Sequence, residues 1–243
     1  MKMLTFAKRN TKEILRDPLT LFFGLGFPLI LILLLSAIQA NVPVSLFELT
    51  KLTPGITVFG LSFMTLFTAL IIAKDRGSAL LQRLYTTPMT ALDFILGYSL
   101  PMIPIALAQC VICYLASMLL GLHWSVNILY AVIMIIPTAL LYIALGLLFG
   151  SILNDKQVGG VCGALLTNLS AWLSGIWFDL ELVGGAFKKA ANVLPFVHAV
   201  EMERAVLAGN FTGIFPHLFW VLGYTLAAFI LAVFFFLRQM KRQ

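Results

Sequence analysis

Six long apolar runs occupy most of this 243-residue chain and constrain its fold more than any other feature. They cover residues 19–40, 54–73, 94–120, 128–152, 158–178 and 218–237. A helix needs about 20 apolar residues to cross the roughly 30 Å hydrocarbon core of a bilayer. The composition agrees, because 61% of the residues are hydrophobic and only 11% are charged. The sequence therefore predicts an all-α membrane protein, with six transmembrane helices in a single domain covering residues 1–243.

The distribution of positive charge predicts the orientation of these helices. Twelve of the 16 Lys and Arg residues fall in the N-terminus, the segment 74–93, the loop 151–157 and the C-terminus. Because cytoplasmic segments are enriched in Lys and Arg, we expect both termini in the cytoplasm and residues 179–216 outside. The membrane we expect is the plasma membrane, which in a bacterium is the inner membrane. The net charge of +6 suits anionic lipid headgroups, so no nucleic-acid partner is expected.

The residue types that the runs lack argue against several classes of function. None of the runs contains Asp, Glu, Lys or Arg, whereas ion-driven transporters commonly bury such groups, although neutral oxygens also bind Na⁺. The chain has no H-E-x-x-H or G-x-S-x-G motif, so no catalytic residues are predicted. The three cysteines are interpreted as small buried residues, and no metal site is expected. Without a G-x-x-x-x-G-K-[ST] loop, any use of ATP and Mg²⁺ requires another subunit.

Prolines and glycines inside the runs predict local geometry. Pro101, with a second proline three residues later, removes backbone donors from the longest run, which predicts a kink or tilt. The motifs Gly146-x-x-x-Gly150 and Gly159-x-x-x-Gly163 permit close approach between helices. We expect both motifs to pack within the subunit.

The N-terminal residues have the pattern of an amphipathic helix at the membrane surface. One face of the helical wheel is mainly apolar and contains Leu4, Ala7, Thr11, Ile14 and Leu15. Charged residues, among them Arg9, Lys12 and Arg16, take another face, as in basic helices that lie in the headgroup layer. Asp17-Pro18 favours a break before the first run, because proline disfavours helix in the preceding residue. The alternative is a segment that serves only as a positively charged anchor.

The segment between the second and third runs is short, charged and helical in pattern. Leu80 and Leu84 are four residues apart, and Arg76 and Arg83 are seven apart. A short helix would therefore present an apolar ridge beside a basic one. Such a helix fits the groove of a cytosolic partner, and a solvated loop on the lipid surface is the alternative.

A pattern of an acidic-basic pair, a glycine, Arg-Leu and Thr-Pro runs through this segment. Its residues are Asp75, Arg76, Gly77, Leu80, Gln82, Arg83, Leu84, Thr87 and Pro88. The pattern resembles the cytoplasmic segment of ABC-2-type permeases, the membrane subunits of ABC exporters, in which a Glu is common where Gln82 stands. The resemblance extends over nearly the whole chain, including the basic N-terminal helix and a long outer segment with Pro195, Glu203 and Arg204.

The resemblance implies a permease that pairs with a second permease subunit, either identical or paralogous. It implies a cytosolic P-loop ATPase that contacts a coupling helix between the second and third spans, with the N-terminal helix nearby. It also implies that the outer segment before the last span is re-entrant and lies over the exit of the substrate path. A plain extracellular loop is the alternative for this segment.

The expected function is the export of an amphipathic substrate such as a lipid, a drug or a peptide. Export is what the resemblance implies, and runs rich in Phe, Leu, Ser and Thr and free of charge suit an amphipathic substrate. No feature identifies the substrate-binding residues. Two alternatives are a self-contained channel or facilitator, and a membrane scaffold or immunity protein that transports nothing. An ATPase that copurifies with the chain would separate the exporter from both.

Overall fold

The structure, a computed structural model, describes residues 2–78 and 89–240, and within these ranges every regular element is a helix. The all-α class predicted from the sequence is confirmed. The helices are α1 (Lys2–Leu15), α2 (Pro18–Asn41), α3 (Leu49–Gly77), α4 (Ala91–Leu119), α5 (Val126–Ile152), α6 (Asp155–Val158), α7 (Thr167–Trp172), α8 (Leu180–Val183), α9 (Gly185–Val193), α10 (Pro195–Leu207) and α11 (Phe211–Met240). Two π-helical segments occur, Phe22–Gly26 within α2 and Gly159–Leu166 between α6 and α7.

Five helices are long and apolar enough to cross a membrane: α2, α3, α4, α5 and α11. They correspond to the first four predicted runs and the last. Only part of the predicted fifth run, residues 158–178, is helical: α6, the π-helical segment and α7 follow one another without a break over residues 155–172 and end at Trp172. This helical stretch begins with the polar residues Asp155, Lys156 and Gln157, and it is not among the five helices apolar enough to cross a membrane. The sixth span therefore stays a prediction.

Helix α3 lies at the centre of the bundle. It packs against α2, α4, α5 and α10, and 89% of its most apolar stretch is buried. By contrast, only 22% of the corresponding stretch is buried in α2 and in α11. Their exposed apolar side chains suit contact with lipid or with another membrane subunit. The bundle thus has one fully enclosed helix, flanked by helices that keep an open apolar face.

Two glycines of α5 allow it to approach α3 closely. A Cβ at Gly146 would lie 2.8 Å from the carbonyl oxygen of Thr65, and one at Gly150 would lie 2.9 Å from the Cα of Ala69. The predicted packing of this motif within the subunit is confirmed. In the second motif, a Cβ at Gly163 would lie 3.4 Å from a side-chain carbon of Leu66 in α3, whereas one at Gly159 meets no atom within 4 Å in the described part of the chain.

The predicted break in the third run is also present. Helix α4 consists of Ala91–Ser99 and Met102–Leu119, separated by a turn at Leu100 and Pro101. Proline has no N–H, so it cannot donate to the carbonyl oxygen four residues earlier, which belongs to Gly97. This carbonyl needs another donor, and that requirement bears on the functional site.

We expect alanine at Gly150 and at Gly223 to have opposite effects on stability. Gly150→Ala forces α3 and α5 apart and should lower the free energy of unfolding by about 1–3 kcal/mol. Gly223 has open space around its Cβ position in α11, so Gly223→Ala should raise it slightly, by up to about 1 kcal/mol, through helix propensity. Thermal unfolding of both variants in detergent measures the difference. Equal melting temperatures would contradict the close α3–α5 contact.

Candidate functional site

An ion pair between Arg9 of α1 and Asp75 in the last turn of α3 is the centre of the candidate site. The guanidinium binds both carboxylate oxygens, with Nη1 2.6 Å from Oδ2 and Nη2 2.9 Å from Oδ1. The hydroxyl of Tyr98 in α4 donates a third hydrogen bond to Oδ2, at 3.0 Å. Because Asp75 is only 3% exposed, its charge depends on these two partners from two other helices. We call Arg9, Asp75 and Tyr98 the ion-pair junction.

The junction favours the charged form of Arg9. Burial disfavours the charge of the guanidinium, but the hydrogen bonds and the negative charge of Asp75 outweigh this effect and raise the pKa of Arg9. Glu13, one turn further along α1, lies 2.8 Å from Nη2 of Arg9 and adds a second negative charge. Arg9 therefore keeps its charge as the pH changes, so its contribution to the link between α1 and α3 does not depend on pH.

A second contact joins α1 to α4. The side-chain amide of Asn10, which is 1% exposed, donates to the carbonyl oxygen of Gly97 at 3.0 Å. This is the carbonyl that Pro101 leaves without its usual helical donor, so Asn10 satisfies a buried acceptor that the helix itself cannot. Phe6 packs edge-to-face against Tyr98, with ring centroids 4.9 Å apart. These contacts fix α1 across the start of α4.

The face of α1 that packs on the protein differs from the predicted apolar face. Its buried residues are Phe6, Ala7, Asn10 and Ile14. Leu4 and Leu15, which the helical wheel placed on the apolar face, are exposed. The wheel sorts residues by polarity alone, whereas the orientation of α1 also depends on Asp75, which lies 66 residues from Arg9. The predicted helix is confirmed, and its position in the headgroup layer, where Leu4 and Leu15 would contact lipid, stays a prediction.

Arg76 contacts the end of α5. Its Nη1 donates to the carbonyl oxygens of Gly150 and Leu153, at 2.7 and 3.1 Å. Carbonyls at the end of a helix lack intrahelical donors and carry partial negative charge, so a guanidinium is a suitable partner. The sequence predicted an exposed basic ridge formed by Arg76 and Arg83. Arg76 is instead directed towards α5, because the helix end offers acceptors that the wheel does not show.

The first part of the predicted coupling segment belongs to α3. Asp75, Arg76 and Gly77 form its last turn and are not part of a separate helix. After the segment, Thr90 and Asp93 form a capping box that opens α4. The remaining residues predicted to contact an ATPase lie outside the described residues: Leu80, Gln82, Arg83, Leu84, Thr87 and Pro88. The coupling helix therefore stays a prediction.

The other two charged residues predicted for the interfacial helix are not part of the junction. Lys12 and Arg16 are exposed and line a groove between α1, the start of α2 and α3. Neither forms an ion pair with a described residue. Of the three residues predicted for the interfacial helix, only Arg9 thus joins the predicted coupling residues.

The residues predicted for the outer segment lie on α10, which packs against α3, α5 and α11. Pro195 occupies the first position of this helix, where its missing N–H is tolerated. Arg204 forms an ion pair with Glu201 at 2.8 Å and donates to the carbonyl oxygen of Gly175 at 3.0 Å. Arg204 therefore ties α10 to the turn that follows α7. The re-entrant path predicted for this segment stays a prediction.

Glu203 is a buried carboxylic acid within α10. It is 1% exposed, and neither of its oxygens has a hydrogen-bond partner in the described part of the chain. Burial raises the pKa of Glu203 well above its ordinary value, because an ionised carboxylate without donors is costly. The site thus stabilises the neutral acid. The charge count in the six runs missed this group, because residue 203 lies between two of them.

A protein-family model matches most of the chain. The model for ABC-2 type transporters matches residues 1–208, which include the ion-pair junction and α10. The chain belongs to the ABC-2 type transporter family. The family resemblance inferred from the segment after Asp75 is confirmed, and α11 lies beyond the matched residues. Among curated proteins, no sequence matches the chain significantly.

Membership of the family establishes the general role of this ABC-2 permease. It is the permease component of an ABC transporter, a membrane component without an ATPase site of its own. The family implies a partner ATPase subunit and a membrane. The junction therefore lies in a permease component.

We expect the effects of Arg9→Ala and Asp75→Ala on the permease to be strongly non-additive. Arg9→Ala leaves the Asp75 carboxylate buried with a single donor and should cost roughly 3 kcal/mol, the low end for buried pairs because Arg9 is partly exposed. The double variant should cost at least about 1 kcal/mol less than the sum of the single variants. Chemical unfolding in detergent measures all three variants.

Arg16→Ala is the matched control for this cycle. It removes the same type of side chain from an exposed position directly after α1, so in lipid-free detergent it should change stability by less than about 0.5 kcal/mol. Additive effects of Arg9→Ala and Asp75→Ala would show that the two side chains do not support each other.

We expect Glu203→Gln to stabilise the permease increasingly as the pH rises. A raised pKa in the folded state means that the stability associated with the neutral acid is complete below the unfolded pKa of about 4.3 and is lost towards the folded pKa. The amide of the variant would keep the neutral shape at every pH. Melting temperatures between about pH 5 and pH 8 should diverge in favour of the variant. Glu48→Gln, at an exposed site, is the matched control, and a divergence that favours the wild type would contradict the argument.

Proposed function

We propose that this permease is the membrane subunit of an ATP-driven exporter that moves an amphipathic substrate out of the cell. A separate cytosolic P-loop ATPase would bind ATP and Mg²⁺ and contact the segment that follows Gly77. The observation that carries the proposal is the ion-pair junction, which connects α1, α3 and α4 next to that segment. Motion of the segment would therefore be shared by three helices.

Helix α3 is suited to carry such motion across the membrane. Its 29 residues form one continuous helix of about 43 Å, longer than the hydrocarbon core. At its carboxyl end, Asp75 binds Arg9, and at its amino end the carbonyl oxygen of Lys51 accepts a hydrogen bond of 3.4 Å from Arg204 of α10. A displacement at one end would thus reach α10, the helix predicted to lie over the exit.

The path and the subunit arrangement are argued from surface chemistry. The open apolar faces of α2 and α11 suit a second permease subunit, identical or paralogous, and the surrounding lipid. Apolar surfaces at that interface suit a lipid, a drug or a peptide with both polar and apolar parts. The bias of Lys and Arg towards the ends that carry α1 and the last turn of α3 supports a cytoplasmic position for the junction in the plasma membrane.

We expect Leu84→Asp to separate the permease from its ATPase. If the coupling helix places Leu84 in a groove of the ATPase, the variant buries a charge without a partner, at a cost of several kcal/mol, on the order of 3–5. The ATPase should then no longer copurify, and export in proteoliposomes should stop, while insertion into the membrane persists. Arg83→Glu should have a weaker effect, because an exposed ion pair contributes only about 0–1 kcal/mol.

Ser45→Asp, in the exposed connection between α2 and α3, is the matched control and should export normally. Normal export by Leu84→Asp with its ATPase still bound would refute the coupling assignment. Substrate flux through the purified permease in the absence of any ATPase would favour the channel or facilitator instead. A complex with an ATPase that moves no substrate would favour the scaffold.

A further inference from the structure

A groove of about 1090 Å³ lies between α1, the start of α2 and α3. None of the roles proposed above uses this groove. Its lining comes from α1, the link Arg16-Asp17, the start of α2 and the second half of α3. The groove therefore combines a charged part with an apolar part.

The charged part has an excess of positive charge. Five of the lining residues are Lys or Arg, and two are acidic. Glu13 is paired with Arg9, and both oxygens of Asp17 accept hydrogen bonds from the first turn of α2. The remaining cations, all exposed and without an ion pair to any described residue, are Lys8, Lys12, Arg16 and Lys74. Asp17 partly offsets the charge of Lys74, and the other three cations have no carboxylate paired with them in the described part of the chain, so an anion in the groove would still meet an excess of positive charge.

The apolar part forms the floor and continues on to the surface of α2. Ile14 of α1 and Phe67 and Ile71 of α3 are buried beneath the groove. At its edge, Leu19 is 66% exposed, and Phe22 follows one turn along α2 and is also exposed. A ligand with a hydrocarbon chain could therefore place its polar end among the cations and extend its chain along α2 without leaving apolar surface.

The position of the groove selects the kind of ligand. It lies where the first span begins, at Pro18, and where the apolar part of α3 ends, at Lys74. Two adjacent spans thus reach the boundary between hydrocarbon and water at this level, which is the level of lipid phosphates. Basic pockets between spans at this level suit the headgroups of anionic lipids.

We propose that this groove is a binding site for one anionic glycerophospholipid, with its phosphate held by Lys12, Arg16 and Lys74 and an acyl chain along α2. The site differs from the general attraction of a basic helix to a membrane, because Lys74 belongs to α3 and the floor is built largely from α3. A bound lipid would join α1 to the first two spans, beside the ion-pair junction. The proposal does not depend on the ATPase or on the exported substrate.

Binding of phosphatidylglycerol to the purified permease in neutral detergent tests the proposal. Native mass spectrometry should show one phosphatidylglycerol retained per chain, and phosphatidylcholine should not be retained. Titration of the melting temperature gives the affinity, which Lys74→Gln should weaken roughly 5-fold and Lys12→Gln/Lys74→Gln roughly 30-fold, if each cation acts independently. Lys51→Gln/Lys189→Gln removes the same charge from exposed sites near other helix ends, and it should bind as the wild type does.

Four outcomes would overturn the proposal. Unchanged affinity in Lys12→Gln/Lys74→Gln would show that the groove does not hold the lipid. Equal loss in the control double variant would show a general effect of net charge. Competition by inorganic phosphate at the same concentration as the lipid would indicate a site for free anions. Loss of a copurifying ATPase from Lys12→Gln/Lys74→Gln, with phosphatidylglycerol still bound, would identify the groove as a surface for the ATPase.

Discussion

A buried carboxylate needs a counter-ion, and this requirement at Asp75 organises one end of the molecule. The only cation that the structure brings to its oxygens, within the described ranges, comes from α1, and the neighbouring donor comes from α4. Removing any one of these helices would leave a charge or a hydroxyl group buried without its partner. A segment that could have rested loosely on the lipid surface is thereby made part of the folded bundle.

Backbone groups freed at helix ends and breaks impose a second set of requirements. In a membrane, little water is available to satisfy them, so side chains must do so. Asn10 donates a hydrogen bond to the carbonyl oxygen of Gly97, and Arg76 donates to the carbonyl oxygens at the end of α5. Both donors lie within a few residues of the ion pair. The polar contacts in this region therefore form one connected set that links α1, α3, α4 and α5.

Features of the fold that depend on neighbouring residues could be predicted from the sequence, whereas features that depend on distant partners could not. Five spans, the break at Pro101 and the close packing at Gly146 follow from hydropathy, a missing N–H and a missing side chain, all of which are local. The buried face of α1 and the direction of Arg76 depend on partners more than 60 residues away, and no helical wheel contains them. The fifth run does not form a long apolar helix, because the helical stretch that contains it begins with Asp155, Lys156 and Gln157 and ends at Trp172. Glu203 was predicted as part of the outer segment, but its burial was not predicted, because it depends on how α10 packs against other helices.

The contact between Asn10 and Gly97 also has a consequence for how the chain is made. The two residues are 87 positions apart, so α1 leaves the ribosome long before its docking surface exists. During that interval, Phe6 and Asn10 have no partner, and α1 is an amphipathic helix beside the newly inserted first span. Its final position can be adopted only once α4 has entered the membrane. Docking of α1 is thus a late event in biogenesis, because it must follow the insertion of α2, α3 and α4.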